Sequence, residues 1–112
     1  MTKLELILDS VERVCAKDFE VRPGRWGVFW DRERKRFRPN RRNMCALGAA
    51  LCCYQPQPKG DDSELISGVR ELLGVDTAWF VDFQLAFDGV HVSDSDAGRM
   101  GALVRDKVNA PQ

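Results

Sequence analysis

The sequence has no long hydrophobic run, and its four cysteines lack the spacing of a disulfide framework or a metal site. No apolar stretch reaches the roughly 18 residues that a membrane-spanning helix needs. The N-terminal segment MTKLELILDS reaches acidic residues too early for a secretory signal. Two cysteines are adjacent and none belongs to a Cys-x-x-Cys pair, which predicts reduced thiols and no zinc site. We therefore expect a cytoplasmic protein with no membrane partner.

The motifs of common cofactor sites are missing as well. The glycines form neither a phosphate-binding loop nor a dinucleotide-binding fingerprint. Four aspartates of the C-terminal half fail the spacing of a calcium loop and occupy positions typical of helix ends; they are Asp82, Asp88, Asp94 and Asp96. The sequence accordingly predicts no cofactor and no metal.

Length and hydrophobic pattern predict one domain, residues 1–112, of the α+β class, mostly helical with about five helices and one β-hairpin. A chain of 112 residues has room for a single core. The first helix is predicted over residues 3–17, opened by a capping-box spacing between Thr2 and Glu5. The later helices are expected to start at Asn43, at Asp61 or Asp62, near Asp76 or Thr77, and at Ser93, which has a capping-box spacing with Asp96. The inward residues of the last helix are expected to be Met100, Leu103, Val104 and Val108.

The second helix, from its expected N-cap Asn43 to about Tyr54, contains no charged residue. It consists almost entirely of small and apolar side chains. A helix that is apolar on all sides is buried, and small residues let its neighbours approach closely. We therefore predict that this is the central helix.

Residues 26–38 are predicted to form the hairpin. Aromatic and β-branched residues, which favour strands, cluster in this part of the chain. The expected strands, Trp26–Trp30 and Arg36–Arg38, flank a polar loop over residues 31–35, and Pro39 closes the hairpin.

The formal net charge is zero, but the charge is strongly segregated along the chain. Residues 1–21 carry a net charge of −2, residues 22–42 carry +7, and the remainder carries −5. Eight of the nine basic residues in the middle block are arginines, which bind phosphate and carboxylate groups in bidentate fashion. Most of the positive charge should therefore lie on the hairpin.

The basic hairpin and the start of the central helix together predict a site for an anionic partner. A helix N-terminus offers free N–H groups and a positive dipole end, so arginines beside it imply an anion. The interleaved Trp26, Trp30 and Phe37 would add stacking surfaces. The expected partner is a nucleic acid, a nucleotide or an acidic protein surface, and the expected site residues are Trp30, Arg32, Arg34, Lys35, Arg36, Arg38, Arg41, Arg42 and Asn43. Neutrality of the whole chain argues against a tight duplex binder.

Three other interpretations stay open at this level. The arginines of the hairpin would pair with the acidic flanks of their own chain. Alternatively, Cys45 would be a nucleophile with His91 as its base, because a helix N-terminus and nearby cations lower the pKa of a thiol. The segregated charge also allows two copies to pair as a homodimer. The preferred prediction is a binding protein rather than an enzyme.

Several short motifs of the C-terminal half resemble those of a group of small bacterial and phage proteins. These are Cys45-Ala46-Leu47-Gly48-Ala49, Leu72-Leu73-Gly74, Trp79 with Phe83, Phe87-Asp88-Gly89 and Leu103-Val104-Arg105, which together cover roughly residues 44–105. The resemblance implies a bacterial or phage origin and carries over no activity and no functional residue. A phage origin would suit a protein that inhibits a host factor.

Overall fold

A computed structural model describes residues 1–24, 26–40, 43–60 and 63–110 of the chain. Within these residues, five helices pack together with one hairpin and one short pair of parallel strands, which confirms the predicted mostly helical α+β class. The elements in chain order are α1 (Lys3–Cys15), β1 (Glu20–Val21), β2 (Val28–Asp31), β3 (Arg36–Pro39), β4 (Asn43–Met44), α2 (Ala46–Tyr54), α3 (Glu64–Leu73), α4 (Thr77–Phe87) and α5 (Asp96–Asn109).

Helix α1 begins with the predicted capping box. The Thr2 hydroxyl accepts the Glu5 N–H at 3.1 Å, and the Glu5 carboxylate accepts the Thr2 N–H at 3.2 Å. The helix buries Ile7 and Val14 and ends at Cys15, two residues before the predicted end.

Helix α2 lies at the centre of the molecule, as predicted. Its residues Ala46–Leu51 are all buried, and the helix packs against α1, α3 and the hairpin. The prediction that Asn43 caps it is wrong, because Asn43 lies in β4 and pairs with Glu20 of β1. Cys45 is the N-cap instead, and its Sγ accepts the Gly48 N–H at 3.2 Å. Helix α2 thus starts two residues later than expected.

The parallel pair β1 and β4 was not expected from the sequence. Glu20 pairs with Asn43, and Val21 pairs with Met44. Because the hairpin lies between β1 and β4 in the sequence, this pairing brings the two ends of the hairpin segment together. Gly27 lies against β4 with a φ of +61°, and a Cβ atom at that position would lie only 1.8 Å from the Asn43 carbonyl oxygen. Only glycine therefore lets the hairpin lie this close to β4.

Helices α3, α4 and α5 are capped by side chains that accept an N–H group of the first turn. Asp76 caps α4, in agreement with the prediction. For α3 the cap is Ser63 rather than an aspartate, and Asp61 and Asp62 lie outside the described residues. For α5 the cap is Ser95 rather than Ser93, because the Ser95 hydroxyl accepts the Gly98 N–H and donates to Asp82.

Helices α4 and α5 form the most extensive helix pair in the fold. Phe83 and Phe87 of α4 are fully buried with stacked rings. Gly101 of α5 lies directly against the Phe83 main chain, where an added Cβ would be 2.4 Å from the carbonyl oxygen. Val104 points inward as predicted, whereas Leu103 is 41% exposed because it lies on the outer side of α5.

A candidate anion-binding surface and the cleft beside it

The hairpin forms in the predicted segment, although its strands are Val28–Asp31 and Arg36–Pro39 rather than Trp26–Trp30 and Arg36–Arg38. Phe29 lies opposite Arg38, and Trp30 lies opposite Phe37. Side chains alternate between the two faces of such a pair. The inner face carries Val28, Trp30 and Phe37, and Phe37 is almost completely buried. The outer face carries Phe29, Asp31, Arg36 and Arg38.

Asp31 organises the turn of the hairpin. Its carboxylate accepts the N–H groups of Glu33 and Arg34 at 3.1 and 3.0 Å. Its Oδ2 also accepts hydrogen bonds from Nη1 of Arg34 at 3.1 Å and from Nη1 of Arg38 at 3.3 Å. The Arg34 N–H, followed by these side-chain bonds, lowers the pKa of Asp31 to about 2. Two of the predicted partner-binding arginines are therefore held by a carboxylate of the hairpin itself.

A third predicted site residue, Arg32, is paired with the acidic half of the chain. Its Nε lies 2.6 Å from Oε1 of Glu64, the first residue of α3. In a homodimer, the basic hairpin of one copy would pair with the acidic half of the other. The contact between Arg32 and Glu64 forms such a pair within a single chain. Exposed ion pairs of this kind contribute little stability, about 0–1 kcal/mol, and are easily exchanged for another anion.

Lys35 and Arg36 form no ion pair with any residue in the described ranges, and both are exposed. Lys35 lies in the turn with a φ of +54°, and Arg36 begins β3. They are the hairpin cations most open to a partner. Arg41 and Arg42, also predicted for this site, lie outside the described residues.

The aromatic residues of the hairpin are arranged differently from the prediction. Trp30 is half-buried and packs edge-on against Phe37, with ring centroids 4.8 Å apart, so neither ring is an open stacking surface. Trp26 is 44% exposed and stacks on Phe80. Phe29 is 41% exposed and lies on the outer face opposite Arg38. Neighbouring side chains of a strand point to opposite faces, so an inward Trp30 implies an outward Phe29. This alternation is the sequence signal that identifies Phe29 as a residue of the outer face.

The start of the central helix is closed to solvent. Met44, Cys45, Ala46 and Leu47 are all fully buried, so the N–H groups expected to hold an anion after Asn43 are covered. That part of the predicted site is wrong, because the chain enters α2 through a buried strand rather than an exposed loop.

The structure does not bring Cys45 and His91 together in an accessible pocket. Cys45 is fully buried, whereas His91 is exposed. Burial raises the pKa of the Cys45 thiol to about 12. The hydrogen bond from the Gly48 N–H to the sulfur lowers this pKa, but its effect is smaller than that of burial. The predicted lowering of this pKa is wrong, and the thiol packs as a small apolar group and N-cap.

A cleft of about 510 Å³ lies beside the hairpin, where the C-terminal ends of α1 and α2 meet β3. Sequence reasoning did not anticipate it, because its walls come from three separate segments. Among the described residues, three cations line the cleft and none of the lining residues is acidic. The lining residues are Arg13, Val14, Ala16, Lys17, Phe19, Arg36, Phe37, Pro39, Cys52, Cys53 and Gln55.

The two adjacent thiols in this cleft are not activated. Burial raises the pKa of Cys52 to about 12, and the nearby Arg36 offsets only part of this effect. Burial also raises the pKa of Cys53, although the Ser10 side chain and the nearby Arg13 and Lys17 act in the opposite direction. Both thiols are therefore mostly neutral near pH 7, and the charge of the cleft comes from its basic side chains.

Among the described residues, no cluster of three or more histidine, cysteine, aspartate or glutamate side chains is placed to hold a metal ion. Within the same part of the chain, no helix is long and apolar enough to cross a membrane. No protein-family model, curated protein or solved structure gives a significant match to this chain. The function of the chain is therefore inferred from the geometry of the hairpin and the cleft.

Proposed function

We propose that this chain is a binding protein that holds an anionic partner on the outer face of its basic hairpin. The observation that carries this proposal is the exposed Phe29 directly opposite Arg38, on the face from which Arg36 also projects. An exposed aromatic ring flanked by arginines is the arrangement with which proteins bind unpaired nucleic-acid bases and their phosphates. It favours a single nucleic-acid strand over a nucleotide or an acidic protein surface.

The charges of the hairpin support an exchangeable surface. Lys35 and Arg36 have no carboxylate partner in the described chain, and Arg32 pairs with Glu64 only at the surface. A phosphate backbone would displace Glu64 from Arg32 and gain contacts from the two free cations. Binding through a few phosphate contacts is moderate in strength and falls steeply with added salt.

The test is fluorescence anisotropy of a labelled 20-residue oligothymidine, titrated with the protein at 50 mM and 200 mM salt. We expect saturable binding that weakens with salt. Replacing Phe29 with alanine should reduce affinity roughly fivefold or more, because one stacked base contributes about 1–3 kcal/mol. Replacing Lys35 with glutamate should weaken binding and reduce the dependence on salt by roughly one phosphate contact.

Lys3→Glu is the matched control, because Lys3 is an exposed lysine at the start of α1. It changes the net charge by the same amount as Lys35→Glu and should leave oligonucleotide binding nearly unchanged. An equal loss of oligonucleotide affinity in both variants would show that only the net charge matters. It would contradict the proposal that the hairpin face is the binding surface. Binding of polyglutamate without binding of the oligonucleotide would reassign the surface to an acidic protein partner.

A further inference from the structure

The cleft between α1, α2 and β3 combines free positive charge with apolar walls. Lys17 lies in the turn after α1 and Arg36 lies in β3, and neither forms an ion pair with a residue of the described chain. Arg13, by contrast, is engaged by Asp9 at 3.0 Å and lies 5.6 Å from the centre of the Tyr54 ring. Two of the three cations are therefore available to a ligand, with no neighbouring carboxylate among the lining residues to compete for them.

The remaining walls are mostly apolar. They include the side chains of Phe19 and Pro39 and the two neutral thiols, whereas the Phe37 side chain is almost completely buried and contributes little surface to the cleft. The volume of about 510 Å³ falls within the range of small-molecule sites, about 300–1,000 Å³. Such walls exclude water from one side of a ring system, while the cations meet a charged group at its edge.

The back of the cleft is rigid where Gln55 lies. The Gln55 side chain bonds the Phe37 N–H and C=O and the Cys52 carbonyl, which fixes β3 relative to the end of α2. A cleft with a fixed back wall binds without the cost of ordering that wall. This arrangement suits a small ligand better than a flexible chain.

We propose that this cleft binds an aromatic carboxylate, with the carboxylate between Lys17 and Arg36 and the ring system on the apolar walls. The proposal is separate from the function of the outer hairpin face, because Lys17 does not belong to the hairpin. Arg36 lies at the boundary of the two surfaces, so a ligand in the cleft would occupy one of the cations that the outer face presents.

The test uses two probes of the same shape, 2-naphthoate and its uncharged amide, naphthalene-2-carboxamide. Each is titrated into ¹⁵N-labelled protein and followed by two-dimensional NMR. We expect naphthoate to bind about tenfold tighter than the amide, because charge-assisted hydrogen bonds contribute roughly that factor. The largest shifts should occur at the amides of Phe19 and Phe37 and at the Gln55 side-chain NH₂ group.

Variants separate the cleft from other surfaces. Lys17→Glu and Arg36→Glu should each weaken naphthoate about tenfold and leave the amide unchanged. Lys107→Glu is the control, because this exposed lysine borders a different apolar groove formed with Val11 and Val108. Lys17→Glu should also leave oligonucleotide binding intact, so this proposal and the one on the hairpin face succeed or fail separately.

Four results would overturn the proposal. The first is equal affinity for naphthoate and its amide, which would describe an apolar groove without a charge-selective site. The second is sensitivity to Lys107→Glu with no effect of Lys17→Glu, which would move the site to the other groove. The third is displacement of naphthoate by inorganic phosphate at the same concentration, which would remove the role of the apolar walls. The fourth is the absence of saturable naphthoate binding at millimolar concentration.

Discussion

The side-chain amide of Gln55 bonds the main chain of Phe37 as a neighbouring strand would. The Phe37 N–H donates to Oε1 at 2.5 Å, and Nε2 donates to the Phe37 carbonyl at 2.7 Å. Gln55 ends α2 in the left-handed conformation, with a φ of +48°. This backbone turn directs the side chain to the hairpin edge and joins the end of the central helix to β3.

Loss of this amide should destabilise the protein. Gln55→Ala leaves the N–H and C=O of the buried Phe37 without these partners, which costs about 1–3 kcal/mol. The measurement is urea denaturation followed by circular dichroism. Gln57→Ala is the control, because Gln57 is exposed and bonds only the Lys35 carbonyl, at 3.3 Å. A loss of stability at Gln57 as large as that at Gln55 would contradict this role.

Because the pKa of Asp31 is lowered in the folded protein, Asp31 should contribute to stability in a way that changes with pH in the acid range. The folded pKa, about 2, lies below the ordinary value of 3.8. The stabilisation is therefore complete above about pH 5 and is lost progressively as the pH falls through the two pKa values. In thermal melts between pH 2 and pH 6, the wild type should lose its advantage over Asp31→Asn as the pH falls. Glu33→Gln should show no such convergence, since Glu33 forms no ion pair in the described chain, and a constant difference between wild type and Asp31→Asn would refute the prediction.

The four thiols should react with a disulfide reagent at very different rates. Cys15 is exposed, Cys52 and Cys53 are partly covered, and Cys45 is fully buried with its pKa raised to about 12. Because the thiolate is the reactive form, native Cys45 should react only as the protein unfolds. Absorbance after addition of Ellman's reagent measures these rates, and Cys15→Ser should remove the fastest phase. Rapid modification of Cys45 in the native protein would show that its site opens.

The contact between α4 and α5 should not tolerate a methyl group at position 101. The new Cβ of Gly101→Ala would lie 2.4 Å from the Phe83 carbonyl oxygen, so the helices must separate. Overpacking of this kind costs about 1–3 kcal/mol, which exceeds the gain of up to about 1 kcal/mol from helix propensity. The midpoint of urea denaturation should therefore fall. A rise in this midpoint would mean that the helices separate without cost.

The sequence predicts most helices and the hairpin because each has a strong local pattern. The capping box consists of Thr2 and Glu5, which are three residues apart. The absence of charge that marks the central helix is likewise visible within one short segment. The sequence does not single out the caps of α3 and α5, since several polar residues precede each helix and only the tertiary structure selects Ser63 and Ser95. The parallel pair of β1 and β4 has two residues on each side, which is too short to produce any periodicity.

The candidate site is predicted in part. The composition of the hairpin identifies its cations, but not which carboxylates neutralise them, because Glu64 lies 32 residues from Arg32. The alternative interpretation of Cys45 as a nucleophile fails for a similar reason. A position near a helix start suggests a lowered thiol pKa, whereas the burial that raises it comes from residues distant in sequence. The cleft needs Lys17 and Arg36 from separate elements, and no motif connects them.

The uncharged central helix has a consequence for biosynthesis. During translation, α2 leaves the ribosome before α3, which covers one of its sides. A nascent chain that stops between them exposes an apolar helix with no charged residue to keep it apart from other chains. We therefore expect fragments that end near Tyr54 to aggregate or to be bound by chaperones.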